Sequence, residues 1–255
     1  YSPMAYIFLV VFALVNGYFF TNTFFLYDQS DMRALFNITP LVFLFFIPAI
    51  SMSLIARERN LGTMEIISTL PLKNHEFVLG KYLAAVSLIL IGLLVTLVHF
   101  VTLMSVGTNI DYGAAFCGYI GLAMAGALYA SAGTFASSVT DNQVISFIIA
   151  VFIVLVFWLM DKLLFFVPSG LAGIVQFLSV DYHLTSISRG VIDTRKLIYF
   201  GALALSAAVT AAVTSKVDLW KSTNCWPAEL RTRSKFLVVA TLVIAFRISA
   251  VCWVR

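Results

Sequence analysis

The sequence has 255 residues, of which 61% are hydrophobic and 11% are charged, with a net charge of +4 and a mean hydropathy of +0.99. Soluble domains average roughly 25% charged residues, so this composition excludes a water-covered globular protein. The apolar runs are long and do not alternate, which favours membrane-spanning helices over a barrel. We expect the basic residues to lie at membrane ends and not to bind nucleic acid.

Six apolar runs approach or exceed the roughly 20 residues that span a bilayer as a helix. The predicted spans are 3–20, 38–56, 82–106, 113–137, 144–166 and 197–215. Short turns are predicted at 107–112 and 138–143, whereas 21–37 and 167–196 are longer, more polar connections. The predicted fold class is therefore an all-α polytopic membrane protein with six transmembrane helices, within 1–216.

The fourth predicted span is rich in small residues. Such residues allow helix backbones to approach closely in lipid, so we expect this helix to pack centrally. The positions predicted to make these contacts are Gly118, Gly121, Ala125, Gly126 and Ala130.

The tail, 217–255, does not fit the six-span pattern. Its apolar run, 236–254, contains Arg247, which costs roughly 2.5–3.5 kcal/mol at a bilayer centre. A seventh span, an interfacial helix and the start of a further domain all remain open. Because the sequence begins at Tyr1, we also expect its natural N-terminus to be missing.

The segment 57–81 is the only long polar stretch between two strongly apolar ones. Thr63 is a plausible helix N-cap, Glu65 suits the first helical turn, and Pro71 ends the helix. An apolar stripe is formed by Met64, Ile67 and Leu70. From the residues alone, this short helix is equally consistent with a docking surface for another protein and with an interfacial helix on lipid headgroups.

A longer pattern in this segment distinguishes the two interpretations. Its positions are Glu58, Gly62, Thr63, Glu65, Leu70, Pro71, Glu76, Gly80 and Lys81. Together they resemble the E-x-x-x-G-T-x-E…P…G-K signature of ABC-2-type ABC exporter permeases, although Lys73 stands where many relatives have Ser or Thr. The similarity extends over about residues 1–216. The residues Ser2, Pro3, Ala5 and Tyr6, together with 190–193, resemble the gliding-motility-type branch.

The resemblance implies that 57–81 contains the cytoplasmic coupling helix, which seats in a groove of an ATPase subunit. The implied coupling and docking residues are Glu58, Gly62, Thr63, Met64, Glu65, Ile67, Leu70 and Pro71. The implied partners are an ABC ATPase subunit, which binds ATP and Mg²⁺, a second permease copy or paralogue, and the lipid bilayer of the bacterial inner membrane.

The chain has no ATPase motif of its own. A P-loop needs Ser or Thr after its Lys and Gly five residues before it, but Lys81 is followed by Tyr82, and His75 occupies the glycine position. We therefore expect no enzymatic activity, no catalytic residues and no metal site in this chain. The cysteines, Cys117, Cys225 and Cys252, are scattered and lack metal-ligand spacing.

Several weaker candidates have simpler explanations. His99 is predicted to be a hydrogen-bonded packing residue, Asp141 to lie in a turn where capping of the fifth span is expected, and Asp161 to pair with Lys162. The scarcity of ionisable residues in the spans disfavours a secondary transporter or channel. No catalytic constellation supports an intramembrane enzyme. A non-transporting scaffold that transmits mechanical work remains an alternative to the exporter.

Orientation is predicted from the basic residues. With six spans, nine basic residues fall in the even-numbered connections and the tail: Arg57, Arg59, Lys73, Lys81, Lys216, Lys221, Arg231, Arg233 and Lys235. Five fall in the odd-numbered connections: Arg33, Lys162, Arg189, Arg195 and Lys196. The positive-inside rule therefore places 57–81 and the residues after 216 in the cytoplasm.

Overall fold

A computed structural model describes residues 3–27, 32–63, 74–106, 111–163, 173, 176, 179–188, 190, 194 and 196–204. Within these residues the regular structure is helical and contains no strand. The helices are α1 (Pro3–Tyr27), α2 (Arg33–Ser51), α3 (Ala56–Asn60), α4 (Asn74–Val106), α5 (Tyr112–Val139), α6 (Gln143–Leu163) and α7 (Val180–Ser188). Residues 196–204 are also helical.

Five helical stretches in the described part of the chain are long and apolar enough to cross a membrane. They are Ala5–Thr23, Leu35–Asn60, Glu76–Val106, Tyr112–Val139 and Gln143–Leu163. The predicted all-α polytopic architecture is confirmed. The predicted sixth span is described only as far as residue 204, and the tail lies outside the described residues.

The first connection is much shorter than predicted. We expected a polar connection over 21–37, but α1 continues to Tyr27 and α2 begins at Arg33. The side chains of Asn22 and Thr23 donate hydrogen bonds to carbonyl oxygens one turn back, at 3.0 and 2.9 Å. Because these polar groups are satisfied by the helix itself, they do not end it. At the far end, α2 stops at Ser51, before the predicted boundary at residue 56.

The fifth helix, α5, lies at the centre of the described fold and packs against α2, α4, α6 and α7. A Cβ added to Gly118 would lie 2.2 Å from the ring of Phe36 on α2, and one added to Gly126 would lie 2.9 Å from Ile89 on α4. The small residues predicted for helix packing are all buried along α5: Gly118, Gly121, Ala125, Gly126 and Ala130.

A polar pair and an aromatic pair join α1 to α2. Thr39 donates a hydrogen bond to Asn16 Oδ1 at 3.1 Å, and both residues are buried. Nearby, the rings of Phe12 and Phe43 stack with centroids 5.7 Å apart. Each polar group therefore has a partner in an otherwise apolar contact, as burial in hydrocarbon requires.

The helix ends described by the structure lie at two opposite ends of the bundle. The C-termini of α2 and α5, α3 and the N-termini of α4 and α6 lie together, and we call this end the loop face. At the opposite end, Lys162 of α6 lies 3.3 Å from Asp161 and 3.1 Å from Asp181 of α7. Lys162 therefore bridges two carboxylates, whereas the sequence predicted only the pair with Asp161.

Candidate functional site

A serine of α5 hydrogen-bonds the backbone of the turn between α2 and α3. The hydroxyl of Ser137 accepts hydrogen bonds from the backbone N–H groups of Ile55 and Ala56, at 3.0 and 2.9 Å. It donates to the carbonyl oxygen of Met52 at 3.0 Å. The first N–H groups of a helix have no hydrogen-bond acceptor within that helix. The hydroxyl oxygen of Ser137, on α5, provides an acceptor for the N–H groups at the start of α3.

A small apolar cluster surrounds this attachment. Ile55 and Val78 of α4 are completely buried, and they pack with the partly buried Phe77 and Phe135 of α5. The turn between α2 and α3 is therefore enclosed by α4 and α5. Because the cluster excludes water, the backbone groups bonded to Ser137 have little alternative to that bond.

An ion pair joins α3 to α4. Lys81 Nζ bonds Glu58 Oε1, and the two side chains are 30% and 21% exposed. The ammonium group also lies 5.5 Å from the ring centroid of Phe77. Among the described residues, no group hydrogen-bonds the buried second oxygen of Glu58. Partly buried pairs are screened less by water than surface pairs, so this contact links α3 to α4 more strongly than an exposed ion pair would.

A second ion pair joins α3 to the turn between α5 and α6. Arg59 Nη1 lies 3.2 Å from Asp141 Oδ1. We expected Asp141 to cap α6, but the cap is Asn142, whose side chain accepts from the N–H of Val144 at 2.9 Å. Asp141 instead pairs with Arg59 of α3.

The chain makes a turn at Gly62, after the end of α3. This residue has a φ of +70°, and a Cβ added to it would meet no heavy atom within 4 Å. Its neighbour Leu61 is 65% exposed. Thr63 donates from its hydroxyl to the carbonyl oxygen of Glu58 at 3.1 Å, which closes the end of α3. The helix for which Thr63 was predicted as N-cap lies outside the described residues.

The remaining predicted docking residues also lie outside the described residues. They are Met64, Glu65, Ile67, Leu70 and Pro71. Their predicted roles stay predictions. The structure brings together Glu58, Gly62 and Thr63 from the predicted set, and it adds Ser137, Lys81 and Asp141 as residues that position the loop.

Other polar candidates have structural explanations. The Nδ1 of His99 lies 3.1 Å from the carbonyl oxygen of Thr96, and its ring lies 5.0 Å from that of Phe20. Within the described part of the chain, no group of three His, Cys, Asp or Glu residues could hold a metal ion.

These observations define a multi-pass helical membrane protein in which α3 is bonded to α4, α5 and the turn before α6, and in which Leu61 and Gly62 after α3 are exposed. A sequence family described as "ABC-2 family transporter protein" matches residues 14–190, which are 177 of the 255 residues. The chain belongs to this family. The resemblance to ABC-2-type permeases that was predicted from 57–81 is therefore confirmed for the family. The chain is a membrane component of an ABC transporter.

No curated protein matches the chain, and no solved structure matches it. Members of the family are generally membrane subunits without an ATPase of their own, and they typically work with an ABC ATPase. The assignment to the gliding-motility-type branch stays a prediction.

Proposed function

We propose that this chain is the permease subunit of an ATP-driven exporter in the bacterial inner membrane. A separate ABC ATPase subunit binds ATP and Mg²⁺ and docks on the loop face, which is cytoplasmic. A second copy of the chain, or a paralogue, completes the membrane unit. The observation that carries the proposal is the family match across 14–190, because the matched region includes the segment 57–81 and the helices to which α3 is bonded.

The contacts of α3 support a mechanical role for this loop. The Glu58–Lys81 pair connects it to α4, Ser137 connects it to α5, and the Arg59–Asp141 pair connects it to the turn before α6. The sequence predicted transmission to the second and third spans, α2 and α4. The bonds to Ser137 and Asp141 extend the proposed path to α5 and α6. A displacement of the loop would therefore move four helix ends together.

The first experiment asks whether an ABC ATPase subunit is retained in a stoichiometric complex. Wild type and a deletion of residues 62–71 are purified in mild detergent with the ATPase subunit, and the retained ATPase and ATP hydrolysis are quantified. Lys162→Gln is the control, because it alters a charge on the opposite face. We expect wild type and the control to retain the ATPase and the deletion to lose it. If wild type retains none, the proposed docking function fails.

Gly62 provides a sharper prediction about this loop. An alanine at its φ of +70° costs about 1–2 kcal/mol, whereas asparagine adopts this region more readily. Because no atom lies near its missing Cβ, Gly62→Trp adds bulk only to the exposed surface. We expect transport per ATP hydrolysed to fall in the order Asn, Ala, Trp, with the largest loss for Trp. The same loss of coupling is expected for Glu65→Arg.

Coupling is measured in proteoliposomes, with membrane insertion checked by protease protection. Gly80→Ala is the matched control, since nothing lies within 4 Å of that position either and its backbone is ordinary helix. Unchanged coupling in Gly62→Trp would contradict a docking role for this part of the loop.

A further inference from the structure

A groove of about 490 Å³ opens at the loop face between α1, α2 and α4. Its walls are mostly apolar and include Phe8, Phe46, Ile50 and Leu88. Wall residues Ile7 and Val11 are 58% and 40% exposed, so the groove is accessible from the lipid-facing surface. Along α1 it extends from position 5 to position 11, which corresponds to about 9 Å of helix.

The mouth of the groove is polar and carries one guanidinium group. Arg57, Ser53 and Gln143 line it at the level of α3. The other basic groups that the structure describes on this face, Arg59 and Lys81, are paired with carboxylates. Arg57 is exposed and has no acidic partner within the described part of the chain. The groove therefore combines an apolar channel between the membrane-spanning helices with a positive charge at its mouth that has no acidic partner among the described residues.

A second cavity shows why the charge matters. It lies between α4 and α5, measures about 730 Å³ and is lined by residues such as Leu94, Phe100 and Phe116, with no charged group. Such a cavity accommodates any acyl chain and cannot distinguish one headgroup from another. The groove at Arg57 differs from it in having a charged group, together with the polar side chains of Ser53 and Gln143, at its mouth.

We propose that the groove binds one anionic phospholipid, with the phosphate on Arg57 and an acyl chain along Phe8, Phe46 and Leu88. Basic pockets between membrane helices are suited to anionic headgroups. Each Arg or Lys near the membrane surface attracts a lipid with a net negative charge more strongly than a zwitterionic lipid, whose net charge is zero. The lipid would lie directly beneath α3. This inference does not depend on the proposed exporter function, since it concerns binding alone.

The test compares phosphatidylglycerol with phosphatidylcholine. The full chain is reconstituted in nanodiscs of equal parts of the two lipids and then released into detergent, and native mass spectrometry counts the lipids that remain bound. We expect wild type to retain phosphatidylglycerol preferentially and Arg57→Gln to lower that preference about fivefold, the factor equivalent to ~1 kcal/mol per basic residue. Arg57→Lys should preserve it. Lys162→Gln, which removes a charge at the opposite end of the helices, should leave it near the wild-type value.

A second pair of variants tests the apolar channel. Ala49 lines the groove on α2 and is exposed, so Ala49→Trp should fill the groove and reduce retention of both lipids. Leu14→Trp, on an exposed part of α1 outside the groove, is its control. Equal retention of the two lipids by wild type, or an unchanged preference in Arg57→Gln, would overturn the proposal and leave the groove covered by bulk lipid.

Discussion

Replacing Gly133 with alanine should lower the free energy of unfolding by about 1–3 kcal/mol. A Cβ at this position would lie 1.8 Å from Ser51 Oγ and 2.6 Å from Ser51 Cβ, where α5 crosses the end of α2. Rotation about χ1 can move the hydroxyl of Ser51 but cannot move its Cβ. The backbones of the two helices must therefore separate, and this effect outweighs the better helix propensity of alanine, which amounts to about 1 kcal/mol.

The measurement is chemical unfolding in mixed micelles, followed by far-UV circular dichroism. Gly80→Ala is the control for propensity, because its added Cβ meets no atom within 4 Å. Ser51→Gly should restore stability to Gly133→Ala, since it removes the two atoms that overlap. The coupling free energy comes from the double-mutant cycle, which also corrects for the loss of the bond from Ser51 to the carbonyl oxygen of Ile47. Equal stability of Gly133→Ala and Gly80→Ala would contradict this close helix crossing.

Hydropathy predicted the helical spans because one physical requirement governs them. Every backbone polar group in hydrocarbon needs an internal partner, so long apolar runs have few alternatives to a helix. The boundaries were less predictable. Asn22 and Thr23 look like connection residues, yet their side chains bond within α1 and allow it to continue. Side-chain polarity alone does not distinguish these two outcomes.

The turn at Gly62 could be predicted from the sequence. The contacts that bond α3 to α4 and α5 could not. Gly62 carries a recognisable signal, since glycine is the residue that most readily adopts a positive φ. Ser137 carries none, because it is one of several small residues in α5. Its partner Ile55 is 82 positions away, and no periodicity relates them. The pairing of Glu58 with Lys81 likewise depends on how α3 folds back against α4.

The three contacts that bond α3 to the membrane helices differ in how far they are shielded from water. We therefore expect their removal to loosen α3 to different extents. The Arg59–Asp141 pair has a carboxylate side chain that is 77% exposed, so water and salt screen it. The Glu58–Lys81 pair is more enclosed. The bonds to Ser137 are enclosed most, since Ser137, Ile55 and Ala56 are all completely buried. We therefore expect the serine to dominate the attachment of the loop to the membrane helices.

Ser137→Ala should accelerate amide hydrogen exchange at residues 52–60 by about tenfold or more. The substitution leaves two buried N–H groups without an acceptor, and a buried unsatisfied group costs roughly 1–3 kcal/mol. Since 1.4 kcal/mol corresponds to about a factor of ten, local opening of the loop becomes correspondingly more frequent. The measurement is hydrogen exchange followed by mass spectrometry of the full chain in nanodiscs.

Ser131→Ala is the matched control for this variant. Ser131 lies on the same helix and is equally buried, but its hydroxyl donates to the carbonyl oxygen of Leu128 within α5, at 2.6 Å. Its removal should leave exchange at 52–60 unchanged. If the proposed exporter mechanism holds, Ser137→Ala should also retain the bound ATPase while transporting less per ATP hydrolysed, because the loop moves without pulling α5. If the amides of residues 52–60 exchange as slowly in Ser137→Ala as in wild type, the prediction is wrong. The two ion pairs and the cluster around Val78 would then be sufficient to hold the loop.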